Sequence, residues 1–164
     1  MARTSLITLG LAQIEVGAAS AAGTMPTSMT KIGKTYKDTC KMTQDSPDVT
    51  EHYEEGKAAP EVRKKSRKIP KFYFSLMDCD AQALADYVGG TVTGNNWAYD
   101  GNEVVANRAI RIKTEQGLSF EMPNADIEAV INAELTSGGI FLVDFTVTPL
   151  AVTSGKALRG IPNA

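Results

Sequence analysis

Residues 125–148 read ADIEAVINAELTSGGIFLVDFTVT, and the fold turns on whether their first half is helix or strand. Ala, Glu and Leu favour helix, and Ile127, Val130, Ile131 and Leu135 fall near helical spacing. Alternation fits better. Ala125, Ile127, Ala129, Ile131, Ala133 and Leu135 share one face of a strand. The opposite face, Asp126, Glu128, Val130, Asn132, Glu134 and Thr136, carries one apolar residue, Val130. After Thr136-Ser137-Gly138-Gly139 the alternation resumes, with Phe141, Val143, Phe145 and Val147 on one face and Asp144, Thr146 and Thr148 on the other. This second run is β-branched and aromatic, the composition of a pleated, half-buried surface. Two alternating runs around a short glycine turn predict a long antiparallel hairpin.

Outward from this hairpin the chain reads mainly as strands. A second hairpin is expected in VVANRAIRIKTEQGLSFEMP, turning at Glu115-Gln116-Gly117, with Leu118, Phe120 and Met122 alternating against Ser119 and Glu121. A strand lies within residues 4–17, where Ala12, Ile14 and Val16 alternate with Gln13 and Glu15; a small-residue loop follows, then a short strand or turn in MTKIGK. FYFSLM is a strand with Phe72, Phe74 and Leu76 on one side, and TVTGNNWAYDGN holds a strand and a turn. Residues 38–55 read as a further hairpin turning at Asp45-Ser46-Pro47-Asp48, where proline suits a type I turn. Its polar face is Thr39, Lys41, Thr43, Thr50, His52 and Glu54, opposite Cys40, Met42, Val49 and Tyr53. The one helix expected is in DCDAQALADYVGG. Asp78 or Asp80 caps it, Ala81, Leu84, Ala85 and Val88 form its apolar stripe, and Gly89 supplies the left-handed C-terminal position.

The 164 residues suit one domain, read as 1–164, with an extended basic loop at 56–71 and an irregular tail at about 150–164. Hydrophobic residues make up 43% and charged residues 22%, ordinary for a globular chain, and a net charge of -2 excludes a generally basic nucleic-acid binder. No run approaches the ~18 apolar residues of a membrane span. Near the N-terminus, Arg3, SLITLGLA and the small residues of GAASAAG sketch a leader, but Gln13 and Glu15 interrupt the apolar run, so no secretory signal is read. Cys40 and Cys79 form no CxxC pair and are read as reduced thiols, a disulfide requiring that the fold bring them together.

No catalytic constellation appears. One histidine and two separated cysteines do not make a usual zinc site, and the phosphate-cradling, dinucleotide and nucleophile-elbow motifs are all missing. His52 has no evident partner for general-base work and reads as solvent-exposed, as do the clustered Glu51, Glu54 and Glu55. No enzyme and no cofactor is expected. The unusual local feature is the basic run Arg63, Lys64, Lys65, Arg67, Lys68 and Lys71, within a segment of seven Lys or Arg and one Glu. Three readings stay open: a polyanion patch, an arm that docks on a neighbouring subunit, or a solvated strand edge whose lysines discourage stray pairing. No aromatics interleave with the lysines as they do in a base-stacking platform.

KIGKTYKDTCKMTQDSPDVTEHYEEGK, the strand entering SLMDCDAQALADYVGGTVTG, then GLSFEMPNADIEAVI and the closing FTVTPLA together resemble the major tail tube proteins of long-tailed bacteriophages, most nearly those of prophages in gut bacteria. The similarity covers about residues 10–152. It rests on the order of elements and on phrases such as Gly89-Gly90 and Thr148-Pro149-Leu150. It implies two packed antiparallel sheets, a sandwich or barrel, with one flanking helix. It implies rings, usually hexamers, whose inner sheets join around a channel and which stack into a tube that passes DNA. By the same implication the partners are further copies, tail terminator, baseplate and tape measure proteins, and transient DNA in the lumen, with no membrane; the location is the virion tail, assembled in the host cytoplasm. On this reading Thr39, Lys41, Thr43, Thr50, His52 and Glu54 are candidates to face a lumen that is neutral or acidic in sum, and Arg63, Lys64, Lys65, Arg67 and Lys68 are candidates for an inter-subunit arm. The alternatives are the related inner tube of a contractile injection or secretion system and a small-ligand-binding β-sandwich. The basic excursion is longer than expected of the compact secretion version.

Overall fold

A computed structural model describes residues 5–163. Arg3 of the leader outline and Thr4 of the first strand segment lie outside the described residues. In chain order the elements are β1 (Leu9–Ala18), β2 (Thr30–Lys31), β3 (Lys41–Thr43), β4 (Asp48–His52), β5 (Val62–Ser66), β6 (Lys71–Leu76), α1 (Ala81–Tyr87), β7 (Thr91–Thr93), β8 (Asn96–Ala98), β9 (Asn107–Gln116), β10 (Leu118–Ala133), β11 (Phe141–Pro149) and β12 (Arg159–Pro162).

The hairpin expected at 125–148 is present. Ala125 pairs with Pro149 and the ladder runs without a slip to Ala133 opposite Phe141. On its inner face Ile127 meets Val147, Ala129 meets Phe145 and Ile131 meets Val143. The 107–122 hairpin is also present, turning at Gly117, whose φ of 91° and close approach to the Thr8 backbone leave no room for a side chain. The two hairpins share β10, which runs unbroken from Leu118 to Ala133.

This shared strand makes both layers. Phe120 and Met122 point inward, and so do Ala125 and Ile127, which is an odd spacing. The register slips between Met122 and Ala125, and the two residues there, Pro123 and Asn124, form a bulge that resets the alternation. Proline suits it, having no N–H to lose from the ladder. The bulge carbonyls are not orphaned: Ser20 N–H donates to Pro123 O (2.9 Å) and Leu150 N–H to Asn124 O (2.8 Å).

On one side of the bulge, 118–122 lies between β9 and β12, in a layer ordered β2-β1-β9-β10. On the other, 125–133 begins a second layer ordered β10-β11-β6-β3. The layers pack face to face around one core of Ile14, Ile110, Ile112 and Met122 against Phe72, Phe74, Phe145 and Val147. Phe72 of the second layer meets Phe120 of the first with ring centroids 5.6 Å apart. The expected pair of packed antiparallel sheets is thus one eight-stranded sheet folded over at β10, and it does not close into a barrel.

The helix is where the sequence puts it. Asp80 is the cap, its Oδ1 accepting from Ala83 N–H at 2.9 Å. Leu84 is buried, and Tyr87 stands edge-on to Phe145 at 5.2 Å. The small β7–β8 hairpin leans on the helix, with Trp97 Nε1–H donating to Gly89 O at 2.8 Å. The tail read as irregular contains β12, which adds to the 118–121 edge of β10.

The expected hairpin at 38–55 is not formed. β3 pairs with β6 (Met42 opposite Phe72), and β4 pairs with β5 (Thr50 opposite Lys64). The chain does not reverse at Asp45–Asp48. Pro47 instead separates two consecutive pairings on one outgoing leg, and the reversal comes at 53–61, around Gly56 with φ 78°. The segment expected as a loop at 56–71 therefore contains the strand β5.

Phe145 lies at the centre of this arrangement, stacked on Phe74 at 5.1 Å and 1% exposed. Phe145→Ala is expected to cost about 3–5 kcal/mol in urea unfolding, whereas Val130→Ala on the exposed face should change little. Equal effects would contradict the assignment of faces.

Candidate functional site

Three surfaces stand out. The first is an open edge. On its β9 side, β10 is hydrogen-bonded only as far as Ile127, whose N–H donates to Ala106 O at 2.9 Å. Residues 128–133 have β11 on one side and, among the described residues, no strand on the other. Backbone groups alternate sides along a strand, so the N–H groups of Ala129 and Ile131 point, like that of Ile127, to the open side. A groove runs beside this edge, lined by Tyr87, Trp97, Tyr99, Val104 and Val105. Apolar groups here are unusually bare: Val105 is 81% exposed, Val130 66% and Leu135 84%. No lysine or proline guards 128–133, although edges of monomeric sheets commonly carry such protection. The opposite border of the same four-stranded layer is β3, paired only with β6.

The outer face of that layer is polar. Asp144 accepts from Ser75 Oγ–H and from Asn132 Nδ2–H (3.0 Å), linking β6, β11 and β10, and Lys41 sits over the Tyr73 ring at 5.8 Å. Strand alternation puts Lys41, Lys71, Asp126, Glu128 and Asp144 on this face, two positive against three negative charges, or -1 in sum.

The second surface is the outer face of the other layer. Glu15 on β1 is opposite Arg111 on β9, Arg111 is opposite Glu121 on β10, and Glu121 is opposite Arg159 on β12. Arg111 Nε is 3.1 Å and Arg159 Nη2 3.2 Å from Glu121. Lys113 Nζ stands 3.0 Å from Glu15 Oε1, an ion contact rather than an aligned hydrogen bond. Signs alternate across four strands, so the face balances its own charges, although Glu15 Oε1 and Arg159 Nε are buried without a hydrogen-bond partner.

The third is the arm. Among the described residues β4 and β5 contact each other and no other strand or helix, so they project from the body as a ribbon. Glu51 pairs with Arg63 (3.1 Å) and Lys68 with Asp48 (3.5 Å). The hydrogen bond from Tyr53 Oη–H, and then Arg63, hold the Glu51 carboxyl below its ordinary range, and the same bond pushes the Tyr53 phenol up.

The six residues expected on one lumen face are therefore divided. Lys41 and Thr43 lie on β3, on the polar face of the four-stranded layer. Thr39 is in the preceding turn, where it donates to Tyr36 O and accepts from Ser75 N–H. Thr50 and His52 are on β4 in the arm, and Glu54 lies near its tip. Glu54 is thus not beside Lys41. The apolar set opposite them also divides. Cys40 packs against the core; Val49 and Tyr53 are exposed because the ribbon has no layer beneath it, and Met42, on the border strand β3, is exposed as well. Arg63, Lys64 and Lys65 are on β5, with Arg67 and Lys68 just beyond, all exposed on the arm. The sequence reading missed the open edge. Its trace is Val130, the one apolar residue at a position where alternation asks for a polar one.

Among the described residues no group of three or more His, Cys, Asp or Glu could hold a metal ion, and no helix is long and apolar enough to cross a membrane. Cys40 and Cys79 are both free thiols. Burial, and then Asp78 and Asp80, push the Cys79 thiol up to about 11. No known protein family matches the chain, and neither does any curated protein.

Two measurements test these environments. Arg111→Met removes the charge between Glu15 and Glu121 and is expected to destabilise the fold by about 2 kcal/mol or more, while Arg63→Met on the exposed arm should leave the urea midpoint unchanged. Cys79 should react with iodoacetamide more slowly at pH 8 than it does in the unfolded chain, because the thiolate is the nucleophile. Its rate should climb as pH approaches 11. Equal rates in folded and unfolded chains would contradict the burial.

Proposed function

We propose that this chain is a structural subunit that closes into rings, and that the rings stack into a tube of the phage-tail kind, conducting DNA. The observation that carries this reading is the four-stranded layer β3-β6-β11-β10. Its borders are open, its inner face belongs to the core, and its outer face is polar. Such a layer extends naturally by strand pairing. If the open edge of β10 on one copy pairs with the β3 border of the next, the contact is heterologous, and a heterologous contact whose rotation closes makes a ring. Closure removes both edges and covers the bare apolar groups beside the groove. The polar face then lines the channel.

The charge of that face suits a conduit. Lysines and arginines that neutralise phosphates create salt-dependent affinity, which would hold DNA rather than pass it. A face with a sum of -1 does not. Lys41 and Thr43 keep the lumen role on this reading, and the arm, with Arg63, Lys64, Lys65, Arg67 and Lys68, lies clear of the wall and reaches a neighbouring copy. The resemblance to major tail tube proteins points the same way and supplies the expected hexamer.

Ile131→Pro tests the edge. Proline at 131 removes an N–H that faces the open side and leaves the β11 ladder its donors, so the monomer should fold. In size exclusion with light scattering the wild type should elute as a ring or larger and the variant as a monomer with an unchanged circular dichroism spectrum. A variant that assembles like wild type would refute edge pairing through β10.

A further inference from the structure

At the root of the arm the two layers do not meet, and a cleft of about 800 Å³ opens between them. Its floor is apolar, formed by Leu11, Cys40, Phe72, Ile112 and Phe120. Its rim carries Lys31, Lys34 and Lys37 against Asp38 and Glu115, one net positive charge, and Lys41 borders it with its ammonium turned over Tyr73 on the outer face. Unlike Lys113 in the ladder, none of the four lysines is in an ion pair among the described residues. The sequence trace is KIGKTYKDTCK, where lysine recurs nearly every third residue.

The arm ends in the complement of this cleft. From Glu51 to Glu61 it carries Glu51, Glu54, Glu55 and Glu61 against Lys57, three net negative charges, although its root is basic. Tyr53 stands among these carboxylates, 55% exposed, with its hydroxyl already bonded to Glu51. An aromatic side chain ringed by acids matches an apolar floor ringed by lysines. The ribbon puts its tip far from its own root: from Gln44 to Tyr53 an extended chain reaches about 30 Å.

We infer that the arm tip of one copy docks into the lysine-rimmed cleft of another, Tyr53 entering the apolar floor and Glu54 and Glu55 meeting Lys34 and Lys37. The inference rests on the ring-and-stack reading and names the contact that joins one ring to the next. Tip-to-root contacts are heterologous, and along an axis they do not close, so they propagate a stack. The basic strand β5 is then the stem of the connector, and the acidic tip is the part that recognises.

Two double variants test this. Glu54→Lys with Glu55→Lys reverses the tip, and Lys34→Glu with Lys37→Glu reverses the rim. All four side chains are exposed, so both proteins should unfold at the wild-type midpoint. Each alone is expected to keep the ring mass in light scattering and to lose stacks in negative-stain images. Mixed in equal amounts, they present reversed tip to reversed rim and native tip to native rim, and stacks should return. Stacks in either variant alone would overturn the inference, and so would single rings in the mixture. A wild type that never leaves the monomer overturns the ring reading itself, and that outcome is seen before either variant is made.

Discussion

The bulge at Pro123-Asn124 is the constraint on which the rest depends. A strand with unbroken alternation presents one apolar face. β10 presents Phe120 and Met122 to the core from one layer and Ala125 and Ile127 to the same core from the other, because the extra residue resets the phase. Without the reset, 125–133 would turn Asp126 and Glu128 toward Phe145 and Val147. The bulge is in turn held by two loops, Ser20 on Pro123 and Leu150 on Asn124. The C-terminal tail is fastened to the same place, with Thr153 N–H donating to Ala21 O at 2.9 Å. The centre of the molecule is thus a fold line, tied from both ends of the chain.

The fold line also creates the functional surfaces. Past the bulge, β9 ends its pairing and β10 continues, which leaves 128–133 with an unpaired side. On the far border, β3 is three residues long and hands the chain to the arm. Where the layers diverge near the arm root, the core opens as the lysine-rimmed cleft. The charged ladder of Glu15, Arg111, Glu121 and Arg159 balances its own charges, whereas the edge, the cleft and the arm tip each lack a complement among the described residues. That contrast separates surfaces that stabilise one copy from surfaces that call for another.

Much of this was legible in the sequence. The 125–148 and 107–122 hairpins, the Phe72-Phe74-Leu76 strand and the Asp80-capped helix each bury one face, and burial writes itself as alternation or as a helical stripe. What was misread buries little. The ribbon of β4 and β5 has solvent on both faces, so Val62 to Ser66 carries no period and its charges look like a loop. Asp45-Ser46-Pro47-Asp48 has the composition of a turn, yet Asp48 begins a strand there. β12 escaped notice because four residues including Gly160 and Pro162 have no strand signature, and the ion pair of Arg159 with Glu121 holds its first residue in place. The candidate lumen residues were grouped on a hairpin that does not form, and only Lys41 and Thr43 lie together on the polar face of the four-stranded layer.

The central claim is that the unpaired borders of β10 and β3 are joined between copies. Negative-stain images of the purified wild-type protein at increasing concentration test it most directly. The account predicts closed rings with a central hole that give way to stacked tubes as concentration rises. Uniform particles of monomer size at every concentration, with no rings, would contradict it.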